Sequence, residues 1–166
     1  MKKLCFVATF VVLTFMATAQ DGAPSQAFKF GLGAILGIPV NNLEFTSIGA
    51  GIDLMGQYGI SPKVAITADA GYTSMFGKDG APDFSIIPIR GGLRFYATPQ
   101  FYLAGKAGVG ITKLKGFSSE TSTAYSFGAG YFINPNIDVS GTYDGYSKSG
   151  SIGLVAIRLG YTFGNN

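Results

Sequence analysis

The sequence predicts an all-β fold, with eight antiparallel strands joined in order and closed into an up-and-down β-barrel. Three observations point there. Eight runs alternate apolar residues with polar or small ones. A strand sends successive side chains to opposite faces, whereas a helix repeats its apolar set at i, i+3 and i+4. Tight proline turns alternate with longer polar connections, the rhythm of successive hairpins. Charged residues make up 13% of the chain, with 25 glycines, against about 25% charged in an ordinary soluble domain.

The chain has 166 residues, enough for one domain. Its start reads as an export signal. Met1-Lys2-Lys3 is basic, residues 4–16 are apolar, and Ala17-Thr18-Ala19 is an A-x-A cleavage site. The apolar run is shorter than the roughly 20 residues of a spanning helix. The expectation is a cleaved secretory signal peptide over 1–19 and a barrel domain over 20–166.

After a polar lead at 20–26, the first run is 27–40, with Phe28, Phe30, Leu32, Ala34, Leu36 and Ile38 on one face. The second, 48–60, sets Ile48, Ala50, Ile52, Leu54 and Tyr58 against Gly49, Gly51, Asp53, Met55 and Gln57. Ser61-Pro62-Lys63 turns the chain into the third run, 64–75, where Ile66, Ala68, Ala70 and Tyr72 oppose Thr67, Asp69, Gly71 and Thr73. The clearest writing is the hairpin 86–111. Ile87, Ile89, Leu93 and Phe95 oppose Arg90, Gly92, Arg94 and Tyr96. Beyond Thr98-Pro99-Gln100, Phe101, Leu103, Ala107 and Val109 oppose Tyr102, Lys106, Gly108 and Gly110. The sixth run, 123–133, ends at Asn134-Pro135-Asn136. The seventh, 137–143, alternates Ile137, Val139 and Tyr143 with Asp138, Ser140 and Thr142. The eighth, 151–163, sets Val155, Ile157, Leu159, Tyr161 and Phe163 against Ala156, Arg158, Gly160 and Thr162. Loops are expected at 41–47, 76–84, 113–122 and 144–150. Pro39 and Pro88 cannot donate to a ladder and are expected at the loop ends of their runs, where pairing can stop.

Composition excludes several chemistries. There is no His, and the single Cys5 lies in the expected signal. The mature chain therefore lacks a disulfide, a thiol nucleophile, a Cys or His metal ligand and the commonest general base. Losing Lys2 and Lys3 brings the formal charge of +3 down to about +1, which leaves no nucleic-acid footprint. Asp79, Asp83 and Glu120 in the loops could pair or hold a hard cation through oxygen, but scattered loop acids read first as solvated charges. The G-x-G pairs lack the following helix that a phosphate-cradling loop needs. No cofactor and no catalytic residue is expected.

Alternation alone does not say which face is outside. The polar face is mostly Gly, Ala, Ser and Thr, too poor in charge for a water-exposed wall. Glycines recur two apart on it, at Gly31 and Gly33, Gly49 and Gly51, Gly108 and Gly110, and Gly128 and Gly130. The interior of an eight-stranded barrel is only just wide enough for side chains, so small residues beside Arg, Lys and Tyr suit a lumen. The reading is a transmembrane β-barrel, apolar face to lipid, in which closure satisfies every backbone group.

The chain resembles the small outer-membrane β-barrel proteins, the eight-stranded OmpA/OmpX-like barrels of Gram-negative bacteria. The I-P-I-R-G-G-L-R-F-Y … P-Q-F-Y-L-A-G-K-A-G-V-G hairpin looks like the porin-family barrel domains common in Bacteroidetes. Such barrels typically end on a strand like Leu159-Gly160-Tyr161-Thr162-Phe163, which the insertion machinery reads; here Gly164-Asn165-Asn166 follows. The resemblance implies location in the outer membrane, contact with its lipid, and passage through periplasmic chaperones and the insertion machinery. It also implies termini and proline turns in the periplasm, with the four loops outside. Tyr58, Tyr72, Phe95, Phe101, Tyr131, Tyr161 and Phe163 suit interfacial aromatic girdles.

In this reading Lys29, Asp53, Asp69, Arg90, Arg94, Lys106, Asp138 and Arg158 point inward. Charges in a narrow, low-dielectric lumen must pair, so an internal salt-bridge network plugging the barrel is expected. The leading function is a monomeric structural or surface-interacting barrel, with an extracellular ligand that no motif names. The alternatives are a small-solute channel or transporter and a soluble periplasmic ligand-binding barrel. No peptidoglycan-binding domain is visible.

Overall fold

The computed structural model describes residues 28–40, 46–77, 83–114, 119–148 and 151–163. The expected signal at 1–19, Asp79, parts of all four expected loops and residues 164–166 lie outside the described residues. Eight strands follow in order: β1 (Phe28–Pro39), β2 (Thr46–Ser61), β3 (Val64–Gly77), β4 (Phe84–Tyr96), β5 (Phe101–Leu114), β6 (Glu120–Phe132), β7 (Ile137–Ser147) and β8 (Ser151–Phe163). Each pairs antiparallel with the next, and β1 pairs with β8 from Phe30↔Phe163 to Pro39↔Leu154, closing the barrel.

Closure leaves no sheet edge and turns one residue parity outward on every strand. Ile52 is 66% exposed and the neighbouring Asp53 4%; Ile157 is 61% exposed and Arg158 7%. The outer wall is thus apolar and the inner wall carries the charges, the reverse of a soluble barrel. No described helix is long and apolar enough to cross a membrane; the crossing elements are strands.

The strands run further into the loop regions than composition suggested. Residues 144–147 belong to β7, which pairs with β8 as far as Ser147↔Ser151. Likewise β5 and β6 pair up to Thr112↔Glu120, inside the expected 113–122 loop. Polar, turn-favouring residues there are held by neighbouring strands on both sides, so ladder pairing outweighs local propensity. Pro88 lies well inside β4. The β3–β4 ladder skips from Ala70↔Ile89 to Thr73↔Ile86, while β4–β5 pairs straight through Pro88↔Gly110. The missing proline donor opens a local gap on one side without ending the strand.

Aromatic rings gather on the outer wall toward the proline-turn end. Tyr58, Phe95, Phe101, Tyr131, Tyr161 and Phe163 are all exposed there, with Phe28 beside them. Phe28 packs edge-on against Phe30 at 4.6 Å, and Tyr161 against Phe163 at 4.9 Å. Tyr72 and Phe76 are exposed nearer the other end. This is the placement that amphipathic rings take at membrane–water boundaries.

Candidate functional site

The lumen holds three layers. At the loop end lies an apolar layer of Met75, Ile86, Ala124, Tyr146 and Leu154, flanked by Phe84 and Ile152. All have inward parity, yet only their apolar outward neighbours stood out in the sequence. A polar or small inner face was expected, but apolar side chains pack together at this end of the lumen.

The middle layer centres on Asp69 and Arg90, which face each other as Cα partners on β3 and β4. Arg90 Nε donates to Asp69 Oδ1 at 3.0 Å and Nη2 to Oδ2 at 3.1 Å, a two-pronged fork. Arg90 Nη1 crosses the lumen to Asp144 Oδ1 at 3.1 Å. Lys106, on β5, reaches past β4 to donate to Asp69 Oδ2. It passes over Gly92, its own Cα partner, where a Cβ would meet Lys106 Cγ.

The third layer, nearer the proline turns, centres on Arg158. Its Nε donates to Asp53 Oδ2 at 2.7 Å and its Nη2 to Asp53 Oδ1 at 2.9 Å. These residues stand on β8 and β2, separated by β1. They meet over Gly33, which pairs with Asp53 on one side and Gly160 on the other. A Cβ on Gly33 would collide with Arg158 Nε and Asp53 Oδ1. Arg158 Nη1 lies 3.4 Å from Asp138 Oδ1, over Gly160. Tyr102 donates its hydroxyl to Asp138 Oδ2, its ring filling the space over Gly130. Glycines on the inner face are therefore where longer side chains from neighbouring strands pass.

Arg94 differs from the other arginines. It is 2% exposed, and none of the ion pairs among the described residues includes it. Its guanidinium lies 3.9 Å from the Tyr102 ring centroid, and Nη1 donates to Gln57 Oε1 at 3.1 Å. A ring face and an amide stand in for a carboxylate. Lys29 is half-buried at the proline-turn mouth. Between the charged layers remains a void of about 30 Å³, lined by Arg90, Arg94, Tyr102, Lys106 and Arg158 among others.

Six of the eight charged residues picked from the sequence thus fall into two clusters, Asp69 with Arg90 and Lys106, and Arg158 with Asp53 and Asp138. Sequence reasoning missed Asp144, placed in a loop although it continues the parity of Asp138, Ser140 and Thr142. It also left out the inner aromatic group, in which Tyr96, Tyr102 and Phe132 have ring centroids 5.6 to 6.5 Å apart. Parity alone would have found all four.

An apolar outer wall around an ionic interior defines a transmembrane β-barrel, a fold made to stand in lipid. The family model for the outer membrane protein beta-barrel domain matches residues 7–165, and the chain belongs to that family. It is a protein of the bacterial outer membrane. Similar solved structures include the Yersinia pestis outer membrane protein Ail in a phospholipid bilayer nanodisc, with TM-score 0.60 and 19% identity over 81% of this chain and 99% of that one. The N-terminal β-barrel domain of Pseudomonas aeruginosa OprF gives TM-score 0.62 and 14% identity over 81% and 97%. Neisserial surface protein A gives 0.57 and 17% over 86% and 100%. At these identities the likeness concerns the fold. No curated protein matches the chain. Outer-membrane location removes the soluble periplasmic alternative.

Proposed function

We propose that the protein is a monomeric, non-catalytic outer-membrane barrel, structural or surface-interacting, whose lumen is closed by its own salt bridges. One observation carries this reading. The two ionic clusters cross the lumen and leave about 30 Å³ between them, room for a few waters at most. The apolar layer of Met75, Ile86 and Leu154 supports the same reading from the loop end. Charge pairing here fills space that a conducting barrel would leave to water.

In this proposal the proline turns face the periplasm and the loops face outward, as is usual for such barrels. Contacts with the surroundings run through the loops between β1 and β2, β3 and β4, β5 and β6, and β7 and β8. Residues 1–19 are removed on export. Leu159, Tyr161 and Phe163, with outward side chains at the end of β8, form the signal that the insertion machinery reads after chaperones have carried the chain across the periplasm. A liposome-swelling assay with small sugars tests the closed lumen. Swelling no faster than protein-free vesicles is expected; arabinose entry at porin-like rates would establish the channel alternative instead.

A further inference from the structure

The outer wall is not equally apolar all round. Toward their loop ends, strands β2 and β3 still present the exposed apolar side chains of Ile48 and Phe76. Strands β6 and β7 present hydroxyls there instead. Thr121, Thr123 and Ser147 are exposed and outward by parity, and Thr123 and Ser147 are Cα partners. Val109 pairs with Thr123 from the other side, and Tyr125 follows on the same face. With Lys148 these residues border an open hollow of about 610 Å³, within the range of about 300–1,000 Å³ typical of small-molecule sites.

The hollow has three kinds of surface. Tyr125 gives it a ring, laid across its Cα partner Gly145, where a Cβ would meet the ring and its hydroxyl. Farther down the wall Phe127 and Tyr143 stack with centroids 5.3 Å apart, so the ring continues into an aromatic patch. The hydroxyls stand above it, and hydrocarbon offers them no partner. Lys148 supplies a cation at the rim. Its Nζ lies 3.2 Å from Glu120 Oε1, but the two side chains are 53% and 57% exposed, and such a pair gives way to a stronger anion at little cost. Below the hollow the outward residues of β5, β6 and β7 carry no charge, so it lies where the apolar wall meets the headgroup level.

We propose that the hollow seats the headgroup of a phosphorylated glycolipid in the surrounding leaflet. Sugar hydroxyls bond to Thr121, Thr123 and Ser147, the sugar ring lies on Tyr125, and the phosphate takes Lys148 from Glu120. The acyl chains run down the wall over Phe127 and Tyr143. A plain phospholipid would use the lysine alone; three hydroxyls beside a ring face suit a polyhydroxylated ring. In the orientation proposed above, on which this placement rests, the leaflet is the outer one.

The test uses the ¹⁵N-labelled barrel in phosphatidylcholine nanodiscs carrying increasing fractions of a bisphosphorylated diglucosamine glycolipid. Saturable shifts are expected at the Thr121, Thr123, Tyr125, Ser147 and Lys148 amides, and none that saturate at Ile48 or Phe76. The dephosphorylated glycolipid should bind about fivefold more weakly, the size of one exposed charge contact. Phosphatidylglycerol and soluble glucosamine phosphate should give no saturable shifts. Lys148→Gln should abolish the difference between the two glycolipids. Thr121→Val with Thr123→Val, which keeps the shape and suits a strand, should weaken both. Both sites are exposed, and heat-modifiable gel mobility verifies that each variant is folded. Equal shifts around the whole wall, equal binding of phosphatidylglycerol or of the soluble sugar phosphate, or full affinity in both variants would overturn the proposal. The nanodisc carries glycolipid in both leaflets, so none of these outcomes depends on which end faces outward in the cell or on whether the barrel conducts.

Discussion

Replacing Arg158 with Met removes the fork that ties β8 to β2 across β1 and strands Asp53 beside it. The side chains of Arg158 and Asp53 are 8% and 3% exposed, so water does not take over. Two bonds of 2.7 and 2.9 Å are lost. Hydrogen bonds to charged groups contribute about 1.5–3 kcal/mol each. Removing one partner of a buried ion pair costs about 3–5 kcal/mol, since the other is left uncompensated. The expected loss for Arg158→Met is therefore about 4 kcal/mol. Adding Asp53→Leu removes one of the two stranded carboxylates, Asp138 keeping its bond from the Tyr102 hydroxyl, and the double variant should recover about half of that loss. The chain has no Trp, so urea unfolding from phospholipid vesicles is followed by far-UV circular dichroism and by heat-modifiable gel mobility. If Arg158→Met loses less than about 1 kcal/mol, the pair is hydrated and the lumen is not a low-dielectric interior.

Three further outcomes follow from the geometry. Gly33→Ala should destabilise by about 2 kcal/mol, since the new methyl overpacks the Arg158–Asp53 fork; Gly105→Ala, which points outward with nothing within 4 Å, should change stability by less than about 0.5 kcal/mol in the same titration. Asp69→Asn should cost about 3–5 kcal/mol, because it strands Lys106 and leaves Arg90 only its ion pair with Asp144. Asp144→Asn should cost about 1 kcal/mol, since Arg90 keeps both bonds to Asp69, and equal losses would contradict the centrality of Asp69. Ile157→Arg, on the outer wall, should cost about 2–4 kcal/mol in lipid vesicles; an unchanged midpoint would mean that this face does not meet hydrocarbon.

Much of this molecule is written in residue parity. Alternation in 86–111 fixes which side of β4 and β5 carries Arg90, Arg94 and Lys106, and sparse charge turns that side inward. What parity does not carry is position along and around the barrel. Asp53 and Arg158 lie far apart in sequence and on strands that are not neighbours. Their meeting depends on the stagger that brings β2 and β8 to either side of Gly33. The apolar layer escaped notice because Met75, Ile86 and Leu154 look like their outward neighbours Phe76, Ile87 and Val155, and only the closed sheet separates them. Asp144 was misplaced for a different reason: Asp, Gly and Ser in 144–150 read as a turn, while two flanking ladders hold 144–147 extended.

The central claim is that interior charge pairs close the lumen, and planar-bilayer recording tests it most directly. Wild-type protein should give no steady openings. Asp69→Ala and Arg90→Ala, which dismantle the middle layer, should introduce flickering ion currents if they fold. Large, steady conductance from the wild type would show an open path past Arg90 and Arg158 and contradict the account.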